Sequence, residues 1–162
     1  ISNEDFTGKV YVAEFFFTSC PSICPIMNKN MKRIEDIYGS KTDFAIASFT
    51  IDPDHDIPSV LKKYAEDYNV FSQNWHFLTG QKESIYALAN SGFNIFASIN
   101  PEVEGGFEHQ GYFALIDKQG FIRSRSDQFG NPIVYYMGLD QEGVEVQDVD
   151  LLIEDIQKLL DE

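Results

Sequence analysis

Positive charge is scarce in this chain of 162 residues: 12 Lys and Arg stand against 26 Asp and Glu, a formal net charge of −14. A surface of that sign repels phosphate backbones and anionic lipid head groups, which removes the attraction that dominates nucleic-acid binding. Nucleic acid is therefore excluded as a partner, while basic proteins are not. Cysteine is scarcer still, with only Cys20 and Cys24. Two thiols in one short segment make no disulfide framework for a chain of this length. No uninterrupted apolar run reaches the ~18 residues that a membrane span needs; the best stretch, Val10 to Phe17, is short and holds Glu14. The sequence opens at Ile1 with no basic or apolar leader, and the expectation is that a signal or membrane anchor belonging ahead of it is absent.

What is present suffices for a core. Hydrophobic residues make up 43% and aromatics 14%, and domains usually run to roughly 100–200 residues, so residues 1–162 are expected to form one domain. Lys9 to Phe17 reads as a buried strand, followed by a loop from Thr18 to Pro25 and a helix to Tyr38 closed by Gly39. Met27, Met31, Ile34 and Tyr38 recur at steps of three and four, which gives that helix an apolar face and assigns both methionines to packing rather than to metal. Asp43 to Asp52 is a second strand, Ile57 to Tyr68 a helix, Trp75 to Leu78 a third strand and Glu83 to Asn90 a short helix. Phe93 to Ile99 reads as extended and Asn100 to Glu108 as a loop. Tyr112 to Ile116 and Phe121 to Arg125 are expected to pair as a hairpin around Asp117-Lys118-Gln119-Gly120. Residues 127–146 give no decisive pattern. A last helix runs to Leu160 with Asp148 or Asp150 as its cap and Leu152, Ile156 and Leu159 inward. Alternating strands and helices, then a hairpin and a closing helix, imply an α/β protein with a mixed central sheet and helices on both faces, a thioredoxin-like fold.

Cys20 and Cys24 stand four residues apart where loop meets helix. Unpaired N–H groups at a helix start favour the thiolate, the form that binds metal or attacks a disulfide. Thiolates select soft ions, above all Cu(I), and two of them do not fill the four-ligand shell of a structural zinc site. Three histidines are available. His55 lies in a charged turn between Asp54 and Asp56 and reads as solvated; His76 follows Trp75 at the head of a strand and reads as packing. His109 ends a glycine-rich loop and opens a strand, a junction that suits a site.

The segment Phe17-Thr18-Ser19-Cys20-Pro21-Ser22-Ile23-Cys24-Pro25 resembles the CPxxCP signature of the Sco/SenC family, thioredoxin-fold copper proteins that assist cytochrome c oxidase assembly. Asp52-Pro53-Asp54-His55-Asp56-Ile57-Pro58 is similar to that family's DPxxDxP segment and Phe77-Leu78-Thr79-Gly80 to its LTG. His109 stands eleven residues before Gly120, the family's spacing. The resemblance covers roughly Gly8 to Arg125. It implies that Cys20, Cys24 and His109 bind one copper ion as Cu(I) or Cu(II), and that Asp52 and Asp56 lie near the site or shape its loop without being ligands. Ser22 stands where members often carry an aspartate, Glu108 replaces another aspartate, and Gln110 replaces a small hydroxyl residue.

Three functions follow from these residues. The first is a copper metallochaperone, not itself an enzyme, that takes copper from a donor and passes it to a copper-receiving oxidase subunit. The second is a thiol:disulfide oxidoreductase in which Cys20 and Cys24 are the redox-active pair. The third is a thioredoxin-like protein with a small inert disulfide. The resemblance also implies the bacterial periplasm, with the full-length protein tethered to the inner membrane and no other membrane contact. The acidic stretch Asp140 to Glu162, with nine acids and one base, reads as a solvated helix face or as a docking surface for a basic partner.

Overall fold

The computed structural model describes residues 1–162. A 3₁₀ turn at Asn3–Phe6 leads into β1 (Val10–Phe16), α1 (Ile23–Tyr38), β2 (Phe44–Thr50), α2 (Pro58–Asp67), β3 (Trp75–Leu78) and α3 (Lys82–Ala87). A π-turn at Leu88–Gly92 follows, then β4 (Ala97–Ile99), β5 (Phe107–His109), β6 (Tyr112–Ile116), β7 (Arg125–Ser126), β8 (Pro132–Ile133), β9 (Tyr136–Met137) and α4 (Asp148–Asp161). The central sheet runs β3-β2-β1-β6-β9. β1, β2 and β3 are parallel, β6 pairs antiparallel with β1, and β9 pairs antiparallel with β6. This is the mixed, thioredoxin-like sheet expected.

Alternation along β1 sorts its side chains between two cores. Val10 and Val12 join Met27, Met31, Ile34 and Tyr38 of α1 and Val149, Leu152, Ile156 and Leu159 of α4 on one face. Ala13 and Phe15 join Ile85 and Ala89 of the α3 region on the other. Both methionines are fully buried, so their packing role holds. β1 ends beneath the start of α1, so the loop between them lies at the C-terminal edge of the parallel strands.

Four details differ from the sequence expectation. Phe121 to Arg125 does not form a regular strand: beyond one bridge from Ile122 to Ile116, and the bond from the Arg123 N–H to the Leu115 carbonyl, the chain leaves the sheet edge. That edge is taken instead by β9. Within Phe93 to Ile99 only the last three residues are a strand, because Asn94 adopts a positive φ of 53° where the π-turn unwinds. The cap of α4 is Gln147, and Asp150 answers it from the third helical position by accepting the Gln147 N–H. The acidic C-terminal stretch is not uniformly solvated: Asp155 is largely buried and accepts from Arg125 and Tyr136.

Candidate metal centre

Three separate segments converge at the edge of the sheet. α1 begins one residue before Cys24, which places Cys24 in its first turn and fully buries it. Cys20 sits in the preceding loop, 9% exposed. β5 pairs with β4 in a small ribbon, Ala97 opposite His109, that stands over the loop and carries the imidazole back across 85 positions. Nε2 of His109 lies 2.9 Å from Cys24 Sγ, and the three donor atoms of Cys20, Cys24 and His109 all lie within 4.8 Å of one another. All three residues singled out from the sequence are brought together.

The surroundings make the two sulfurs unequal. Cys20 is held down to about 3 by the Cys24 thiol that donates to it, by His109, and by the backbone N–H groups of Ser22 and Cys24. Burial pushes Cys24 up, and the neighbouring Cys20 charge pushes it further. Cys20 is thus a ready thiolate and Cys24 holds its proton. Ser22, which makes no side-chain cap to α1, contributes through its N–H. Both cysteines are free thiols.

Positioning comes from residues that the motif pattern does not flag. Phe17 meets the His109 ring edge-on at 5.9 Å and packs on Phe107 at 5.1 Å. Gly105 presses against Phe17 and Pro21: a Cβ there would come within 3.0 Å of Pro21 and 3.2 Å of Phe17, and its φ of +89° also requires glycine. Nδ1 of His109 lies 3.4 Å from the Gln110 carbonyl oxygen, while Nε2 faces the sulfurs. A cleft of about 440 Å³ opens beside the centre, lined by Phe17, Cys20, Phe96, Glu104, Glu108 and His109 among others.

Asp56 is the main support of the loop. Fully buried, it accepts the Thr18 N–H at 3.0 Å as well as the Thr18 and Thr50 hydroxyls, and it meets His55 Nδ1 at 3.0 Å. Asp52 is half-buried and lies beside it. His55 itself is exposed, and His76 packs edge-on against Phe6 at 5.7 Å; neither approaches the sulfurs. The Thr18 bond was invisible in sequence because Asp-Pro at a strand end also makes an ordinary turn. Replacing Asp56 with alanine strands two hydroxyls and an N–H, each costing about 1 kcal/mol or more when unpaired. The expected loss is about 3 kcal/mol in urea unfolding, with metal affinity falling roughly 10–100-fold as the Cys20 loop loosens.

The donor set fits a metal. Bonds to sulfur and imidazole nitrogen run about 2.0–2.3 Å, so one ion can bridge donors that lie within 4.8 Å of one another. Two thiolates with one imidazole suit copper by softness. A family profile described as SCO1/SenC matches residues 1–142. The chain belongs to the SCO1/SenC family. It is 36% identical over 124 residues to the SCO1 protein homolog of Bacillus subtilis, a match that covers 75% of this chain and 64% of that relative. This chain therefore corresponds to less than two thirds of the relative's length. BsSco, a Sco-family cytochrome c oxidase assembly protein with a disulfide switch, superposes with a TM-score of 0.74 at 32% identity, covering 98% of this chain and 84% of that one. Yeast Sco1 with copper bound superposes with a TM-score of 0.63 at 25% identity, covering 95% and 79%.

Proposed function

We propose that this SCO1/SenC chain is a copper metallochaperone that holds one Cu(I) or Cu(II) through Cys20, Cys24 and His109 and delivers it during assembly of a cytochrome c oxidase copper site. The observation that carries this is the convergence of two sulfurs and one imidazole nitrogen within 4.8 Å. Three protein donors leave a position through which a recipient thiolate enters, so copper is cargo and can be handed on. In this reading residues 1–162 act as one unit, the partners are a copper donor and a copper-receiving oxidase subunit, and the place of work is the periplasmic face of the bacterial inner membrane. No helix of the chain is long and apolar enough to cross a membrane, so a tether would lie outside these residues. Anaerobic titration with Cu(I) and then Cu(II) tests the proposal: one equivalent of each, with a thiolate-to-metal charge-transfer band for Cu(II), is expected. No saturable uptake would overturn it.

The unequal thiols favour a second reading, thiol:disulfide exchange on a partner. Cys20 is a ready nucleophile, and Cys24 beside it can resolve a mixed disulfide. The two activities are compatible, because reducing a recipient's cysteines also prepares them for metal.

His109 is carried by the ribbon that follows residues 100–106, so metal binding ties that loop down. Amide exchange across Asn100 to His109 should slow at least severalfold when Cu(I) is bound. Unchanged exchange would show that the loop is already fixed without metal.

A further inference from the structure

The ribbon that carries His109 has two outer edges, and the chain treats them differently. Ser98 pairs with Glu108 across the ribbon; on either side of that pair the Gln110 N–H donates to the Phe96 carbonyl at 3.0 Å and the Asn100 N–H to the Gly106 carbonyl at 2.9 Å. Bonded pairs alternate in an antiparallel ladder, so the N–H and C=O of Ala97 point out of the β4 edge, and those of Phe107 and His109 point out of the β5 edge. The β4 edge is closed at Ala97. There the Asn90 side chain donates to the Ala97 carbonyl at 3.0 Å and accepts its N–H at 3.1 Å, as a neighbouring strand would. The β5 edge is open: no group of the chain pairs with the outward backbone of Phe107 or His109.

That open edge borders the metal centre. Phe107 and His109 share the face that packs on Phe17, their rings 5.1 and 5.9 Å from it, and Glu108 takes the opposite face. All three line the cleft of about 440 Å³ together with Cys20, which sets that space along the strand's edge rather than over one face. The Cys20 sulfur lies within 4.8 Å of the His109 donor nitrogen. Proteins normally cover, bulge or charge a bare edge, because it is a template for pairing with another chain. Here it is left bare next to a thiol. The surroundings also carry one sign of charge: no Lys or Arg occurs between Lys82 and Lys118, while Glu102, Glu104 and Glu108 stand on the ribbon and its connecting loop. Glu104 and Glu108 belong to the cleft wall.

We propose that the outer edge of β5 is a docking strand for a partner protein: an extended, cysteine-bearing segment adds to Phe107 and His109 as a third strand, with a basic residue next to its cysteine. In strand addition the main-chain bonds give affinity and the alternate side chains give specificity. A partner residue opposite His109 projects onto the same face as the imidazole, so a cysteine in that position is brought to the Cys20 sulfur. Its sequence neighbours project to the Glu108 face, where a lysine or arginine meets carboxylates that no nearby base of the ribbon offsets. The identity of the segment, a recipient of copper or of thiol exchange, rests on the proposed function above; the pairing itself needs neither metal nor redox chemistry.

The test uses the metal-free chain with Cys24→Ser, in which Cys20 is the sole thiol. Cys20 is joined to the peptide acetyl-Thr-Val-Lys-Cys-Lys-Val-Thr-amide, supplied as its thiopyridyl disulfide; the Cys20 sulfur displaces thiopyridone and forms the mixed disulfide with no other oxidant. Tethering loads every molecule, so a negative result is decisive. Amide exchange at Phe107 and His109 is expected to slow about tenfold or more relative to the same chain capped as its methyl disulfide, while Glu108, whose N–H already faces β4, changes little. N-methylation of the peptide at its cysteine and at the lysine after it should differ, one abolishing the protection and the other sparing it. Uniform slowing from Asn100 to Gln110, no slowing, or the same response to both methylations overturns strand addition. Glu in place of both peptide lysines should remove most of the protection, and equal protection overturns the basic partner. Copper uptake by the wild type is read separately in the titration above. Its failure with alternating protection intact strikes the metallochaperone reading and leaves the docking edge, and the reverse result strikes the edge alone.

Discussion

Alanine at His109 is expected to weaken copper binding about a hundredfold while leaving both thiols titratable. Four-ligand thiolate and imidazole sites bind with roughly 10–16 kcal/mol in all, so one ligand is worth about 3 kcal/mol, or some two decades in Kd. The loss should be specific. The ring stands on a two-stranded ribbon outside the central sheet, and its removal forfeits the edge contact with Phe17 and the contact with Cys24 Sγ but no hydrogen bond of the central sheet. Thiol:disulfide exchange, which needs only Cys20 and Cys24, should keep most of its rate. Copper competition with a chromophoric chelator, paired with reduction of a model disulfide, separates the two functions. Undiminished copper retention would remove His109 from the centre, and a collapse of both activities would mean that the imidazole chiefly activates the thiols.

Copper should also stabilise the fold. An ion that binds only the native chain adds RT ln(1 + [L]/Kd), about 4 kcal/mol at a thousandfold excess over Kd. For a chain of this size each kcal/mol raises the melting temperature by about 2–4 °C. Saturating Cu(I) should thus raise the midpoint of the reduced protein by about 10 °C, a shift read directly by calorimetry or circular dichroism. The effect is large because the three donors come from segments that unfolding separates: the β1–α1 loop, the first turn of α1, and β5. Replacing either cysteine by serine should remove most of the shift.

Much of this arrangement is legible in the chain. β1, β2 and β3 are dense in β-branched and aromatic residues, and α1 and α4 carry unbroken apolar stripes, so both local signals agree with the tertiary result. β3 begins and ends where the pattern places it. β7, β8 and β9 are two residues each, too short for alternation to register, and β9 joins the sheet through Tyr136 and Met137 only because the Phe121 segment leaves the edge free. Within the centre, the cysteines and the histidine are visible as rare residue types at informative positions. Of their supports, the family resemblance marks Asp56 but not the groups it holds. Thr18 and Asp56 meet across 38 residues, and the Gln110 carbonyl and the Gly105 backbone act through groups that every residue has or that glycine lacks. Glu14 is conspicuous in sequence as a carboxylate inside a buried strand, yet only the structure shows its partner, the Ser48 hydroxyl.

The central claim is that Cys20, Cys24 and His109 share one copper ion. X-ray absorption at the copper edge of the Cu(I)-loaded protein tests it most directly. The account predicts two sulfur scatterers and one imidazole nitrogen per copper, with the imidazole signal gone in His109→Ala. A sulfur-only shell in the wild type, or an imidazole signal that survives the substitution, would contradict it.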